Sequence, residues 1–134
     1  MSFPPGALAP SLDDFAAIAR SAYDALPDPF RRLAGEAVIH IADFAEEEVL
    51  RELGIEDGFE LTGLYQGVDL SRRSVLDPAL QPSMVFLYRR PILDEWAERG
   101  DVTLAELIAH VLVHEIGHHF GLSDDDIDAI EDKA

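Results

Sequence analysis

The chain contains no cysteine, so it can form neither a disulfide framework nor a thiolate metal site. Any transition metal it binds must use nitrogen and oxygen donors. Basic residues are also scarce: 10 Lys and Arg stand against 27 Asp and Glu, giving a formal net charge of −17. That balance repels phosphate backbones and anionic lipid surfaces, so neither nucleic acid nor a membrane is an expected partner. No stretch approaches the roughly 20 apolar residues needed to cross a bilayer. The first ten residues lack a basic stretch followed by an apolar one, so they do not read as a signal peptide, and a cytoplasmic location is expected.

What is present is the composition of a soluble globular chain, with 134 residues, 48% of them hydrophobic and 28% charged. Residues 1–10, rich in Pro, Gly and Ala, read as a flexible leader, and residues 11–134 as one domain with a small core. Ser11 and Asp14 form the capping-box pattern of a helix over about 12–25, which Pro27 and Pro29 end. A short helical piece is expected through Phe30 to Leu33. Ala37 to Phe44 has the β-branched content of a strand, and residues 46–53 read as a helix stopped by Gly54. Leu61 to Leu70 alternates loosely, and its Gly63 and Gly67 suggest a strand with a bend or bulge. Ser83 to Arg89 is apolar enough to predict a buried strand, and Pro91 is suited to open a helix that Gly100 closes.

Thr103 and Glu106 form a second capping box. It opens a helix whose apolar positions Leu104, Leu107, Ile108, Val111 and Leu112 cover most of the circumference, so the helix is expected in the middle of the domain. That helix runs into the most informative segment of the chain, His-Glu-Ile-Gly-His-His-Phe-Gly-Leu-Ser-Asp over residues 114–124. Residues four apart lie about one helical turn apart on the same face, so His114 and His118 can direct two imidazoles at one ion. Two imidazoles and a carboxylate leave a fourth zinc position open for water, and the ion brings the pKa of that water to about 7. Glu115 would take its proton as general base and pass it to the leaving amine. The reaction class is hydrolysis of an amide bond.

For the third ligand the chain offers Asp124, Asp125, Asp126 and Asp128. Asp126 is accounted for by a capping box with Ser123. Asp124 is not, and a left-handed turn at Gly121 would bring it back toward the metal, so it is the preferred ligand over its acidic neighbours. His119 points away from the two ligand histidines and is placed beside the cleft, where it could hold an oxyanion. His110 lies on the ligand stripe and reads as a hydrogen-bonded core group or a support to the ligands. His40, Tyr65 and Tyr88 read as packing on strands, and Arg72-Arg73 and Arg89-Arg90 as solvated strand ends.

The chain resembles the small bacterial zincin-like metallopeptidases, or minimal zincins. The matching segments are residues 61–67 (Leu-Thr-Gly-Leu-Tyr-Gln-Gly), 84–92 (Met-Val-Phe-Leu-Tyr-Arg-Arg-Pro-Ile) and, most specifically, 114–124. The resemblance implies an α/β (α+β) fold of a single domain, in which a short mixed sheet packs on an active-site helix with N-terminal and C-terminal helices. It also implies an edge strand beside a shallow cleft where an extended peptide can pair. By motif position it makes His114, His118 and Asp124 the ligands of one Zn2+ and Glu115 the base. Larger metzincins carry His in place of Asp124 and a later methionine turn, and no Met follows Asp124 here. A charged Asp ligand makes the zinc a weaker Lewis acid, so short or unfolded chains are the expected substrates rather than folded proteins.

The leading expectation is therefore a zinc-dependent peptidase acting on short or unfolded chains. The alternative is a zinc-binding module that holds a partner's extended segment without turnover, for which Glu115 would have no use. A metal-dependent ribonuclease with a His-x-x-x-His helix is disfavoured by the charge and by Glu115. Substrate identity and oligomeric state are not legible in the sequence.

Overall fold

In the computed structural model, which describes residues 9–35, 37–66 and 83–132, six α-helices accompany a three-stranded sheet. Helix α1 (Leu12–Asp24) begins at Ser11, whose hydroxyl accepts from the Asp14 amide while the Asp14 carboxylate accepts from the Ser11 amide. Helix α2 (Asp28–Ala34) follows at once. Strand β1 (Ala37–Ala42) leads to α3 (Glu47–Leu53), a 3-10 turn and strand β2 (Gly63–Gln66). Strand β3 (Ser83–Tyr88) runs directly into α4 (Arg89–Arg99), which is followed by α5 (Leu104–His119) and α6 (Asp124–Asp132).

β3 is the central strand, parallel to β1 and antiparallel to β2. The register sets Ile39 beside Val85 and Ile41 beside Leu87, while Tyr65 pairs with Val85 from the other side. These residues share the face of the sheet covered by α1 and α5. α5 packs against α1, α2, α4, α6 and β2, and buries Leu107, Ile108, Leu112 and Ile116 almost completely. The expected central helix and the mixed α+β architecture are both found.

Several local expectations need correction. β3 is largely buried, as expected, at Ser83, Val85, Leu87 and Tyr88, but its Met84 and Phe86 on the other face are only half-buried. Among the described residues α1 and α5 cover the face of Val85 and Leu87, and on the other His40 stacks on Phe86 with ring centroids 5.1 Å apart. β2 shows no bulge over Gly63–Gln66. Gly63 sits where a side chain would collide with Val111 of α5, 2.8 Å from an added Cβ. The remainder of the expected strand to Leu70, with Gly67 and the Arg72-Arg73 pair, lies outside the described residues.

α4 starts at Arg89, two residues before Pro91, because a proline in the first turn lacks only an amide that needs no helical partner. Arg89 is no solvated strand end. Its Nε donates to the Pro10 carbonyl at 2.7 Å and its guanidinium pairs with Asp43 at 2.7 Å, tying the start of α1 to the end of the sheet.

Candidate metal centre

The site is built on the last two turns of α5. Thr103 opens this helix by accepting from the Glu106 amide at 3.1 Å, and its hydroxyl also donates to the Glu106 carboxylate. The helix closes in a Schellman turn: the Gly121 amide donates to the His118 carbonyl at 3.0 Å and the Leu122 amide to the Gly117 carbonyl at 2.9 Å. Gly121 takes φ of +83°, a conformation that favours glycine, and the chain reverses there. Ser123 then starts α6, with its hydroxyl accepting from the Asp126 amide and the Asp126 carboxylate accepting from the Ser123 amide, both at 3.1 Å.

This reversal lays α6 back across α5. Along α6, Asp124, Ile127 and Glu131 are spaced three and four apart and therefore share a face. Ile127 is fully buried and presses on α5 at Gly117, where an added Cβ would lie only 2.6 Å from the Ile127 side chain. The glycine inside the motif is thus the contact that seats α6. Asp124 and Glu131 flank it on either side.

The result brings His114, His118 and Asp124 together, with one ligand atom from each lying within 4.8 Å of the others. Asp124 Oδ1 is 2.7 Å from His118 Nε2 and 3.4 Å from His114 Nδ1. In a tetrahedral zinc shell with bonds of 2.0–2.2 Å, neighbouring donors stand about 3.3 Å apart. One spacing already matches, and the other needs Asp124 to withdraw by roughly half an ångström. Asp124 is free to do so, since its side chain is 71% exposed. The donor set, two imidazoles and a carboxylate, is one that zinc accepts. The hydrogen bond to His118 and the nearby His114 hold the Asp124 carboxyl below its ordinary value, so it is ionised and ready to bind a cation.

Glu115 lies next to His114 but on a different face of α5 and is half-buried. Burial pushes its pKa up, and His118 opposes the shift. The buried Tyr88 phenol is also pushed up, first by burial and then by Glu46 and Glu115, which places these two carboxylates in its neighbourhood. His119 is exposed and meets the edge of the Tyr65 ring at 4.8 Å. Tyr65 donates its hydroxyl to the Ala34 carbonyl at 3.5 Å, so its ring packs the helix end while its phenol is engaged elsewhere.

A family model for zincin-like metallopeptidases matches residues 34–134. The chain belongs to this family. No curated protein matches it. The span that carries the zincin-like match includes all three strands and every candidate ligand, and leaves out only α1 and most of α2. Membership implies zinc, in agreement with the donor set on α5 and α6. Among the described residues no helix is long and apolar enough to cross a membrane.

Two participants in this neighbourhood were not singled out by the sequence. Neither Gly117 nor Glu131 stands out from the spacing of the motif alone. The signal for both is the heptad-like spacing of Asp124, Ile127 and Glu131, which acquires meaning once α6 is known to cross α5.

Proposed function

We propose that the protein is a zinc-dependent peptidase that hydrolyses peptide bonds in short or unfolded chains, with His114, His118 and Asp124 as ligands and Glu115 as general base. The observation that carries this reading is the convergence of two imidazoles and one carboxylate beside a carboxyl group, Glu115, that is not needed to complete the donor set. When bound, the ion would supply a Lewis acid that polarises the scissile carbonyl. Glu115 then accepts a proton from the attacking water as the new C–O bond forms, and returns it to the amine as the C–N bond breaks. Its raised pKa suits both halves of that transfer, because a carboxyl shifted toward neutrality is a stronger base and remains a competent acid.

The open setting supports an extended substrate. β2 pairs only with β3 among the described residues, so its outer edge can accept a peptide strand by backbone hydrogen bonding. His119 stands exposed beside Tyr65 on that strand and would contact a bound chain.

The test is chemical. The purified protein should hold one zinc tightly per chain, and His118→Ala or Asp124→Asn should weaken it at least about tenfold. Peptide products should each carry one added water, seen by mass spectrometry as complementary fragments. A zinc-replete protein that captures extended peptides and returns them uncut would replace this reading with that of a binding module.

A further inference from the structure

The stripe of α5 that carries His114 and His118 begins one turn earlier, at His110, and Glu131 of α6 stands opposite. We infer that His110, His114 and Glu131 form a second transition-metal site, adjacent to the first and in competition with it for His114.

The three donors lie within 4.8 Å of one another, and all three residues are half-buried, whereas two of the three in the outer group are exposed. His110 and His114 repeat the i, i+4 spacing of the outer pair, with ring centroids 4.1 Å apart and planes inclined by 48°. His114 faces the two groups with different nitrogens: Nδ1 lies toward Asp124, and Nε2 is 4.0 Å from Glu131 Oε1. That Nε2 is buried and has no hydrogen-bond partner. At 4.0 Å the carboxylate is too far for a hydrogen bond and stands wider than the donor spacing of a tetrahedral shell, so it would close in on a shared ion. An ion between them would satisfy the orphaned nitrogen, which otherwise carries the penalty of an unpaired buried polar group.

The inner group is also accessible. A groove of about 880 Å³ between α1 and α5, floored by Ile18, Ala22, Leu26 and Val113, reaches both His110 and Glu131.

The sharing of His114 gives the inner site its consequence. A neutral imidazole has one available lone pair, and binding through both nitrogens requires loss of its remaining proton. Two ions are therefore mutually unfavourable, and an ion drawn to the inner group removes His114 from the outer one. Imidazole and carboxylate donors suit zinc, cobalt, nickel and copper, so excess metal of this class would occupy the inner position at the expense of the outer.

The inference does not depend on peptidase activity and is tested without it. The His118→Ala/Asp124→Ala variant removes both donors exclusive to the outer group. Both side chains are exposed, so circular dichroism of the metal-free variant should show an intact fold. Titrated with Co(II) and followed by visible absorption and calorimetry, this variant should still bind one ion per chain. Adding Glu131→Gln or His110→Ala should each weaken that binding at least about tenfold. A folded double variant that binds no Co(II), or whose Co(II) is indifferent to both additions, overturns the second site. If, in addition, Glu131→Gln alone weakens metal binding in the otherwise intact chain, Glu131 serves instead as a carboxylate that orients His114 for the outer ion.

Discussion

At the scale of single residues, the decisive contrast is between two carboxyl groups shifted in opposite directions. Glu115 is raised by burial and Asp124 is lowered by its hydrogen bond to His118. The signs have separate consequences for the metal-free protein. A group with a raised folded pKa retains its proton longer in the folded than in the unfolded state, so Glu115 lowers stability as pH climbs through the carboxyl range toward its folded value. Asp124 acts the other way, supporting the fold above the unfolded value and losing that support on acidification. In chelator-treated protein, Glu115→Gln should therefore flatten the decline in stability that sets in above about pH 4.5, measured by denaturant unfolding of both proteins as pH is raised. An unchanged slope would mean that Glu115 is solvated. The proximity of His114, His118 and Asp124 was legible in the sequence because a helix and one tight turn convert fixed spacing into closeness. Glu131 was not, because its partner His114 is reached only through the packing of one helix on another.

At the scale of elements, the site depends on the crossing of α6 over α5, and that crossing depends on Gly117. A methyl group there would meet Ile127 at 2.6–2.7 Å, well inside contact distance, and both are buried in tight packing. Gly117→Ala should destabilise the protein by about 1–3 kcal/mol through overpacking. It should also weaken metal binding, because the displaced helix carries Asp124. Ile127→Ala alone should cost about 2–5 kcal/mol as a core truncation. The two changes should be less harmful together than their sum, since each makes room for the other. Thermal denaturation with Co(II) titration of the four proteins measures both effects, and strict additivity would contradict the contact.

The helices themselves were readable from capping boxes at Ser11, Thr103 and Ser123, all of which form side-chain caps in the structure. The burial of β3 was readable, but not that Met84 and Phe86 stay half-buried. Its apolar run gives no indication that α1 and α5 cover one face only.

For the molecule as a whole, the net charge of −17 acts on encounter rather than on fold. If peptides are the substrates, those flanked by Lys or Arg should show a higher kcat/KM than matched peptides flanked by Asp or Glu. The gap should be several-fold at low salt and should shrink as ionic strength rises toward about 0.5 M, where the Debye length is only a few ångströms. A preference insensitive to salt would place it in a pocket instead of the overall field.

The zincin-like architecture was foreseen from three short segments, and the family match over residues 34–134 agrees with it. Strand order within the sheet was not foreseen, because the pairing of β1 with β3 joins residues more than forty positions apart, such as Ala37 and Ser83.

The proposed role of Glu115, turning a metal-holding helix into a catalyst, is tested most directly by incubating zinc-loaded wild type and zinc-loaded Glu115→Gln with the same library of unfolded polypeptides and identifying new termini by mass spectrometry. The two proteins should hold equal zinc, the wild type should cleave, and the variant should lose about two to four orders of magnitude in rate. Equal cleavage by both proteins at equal zinc, or none by either, would contradict it.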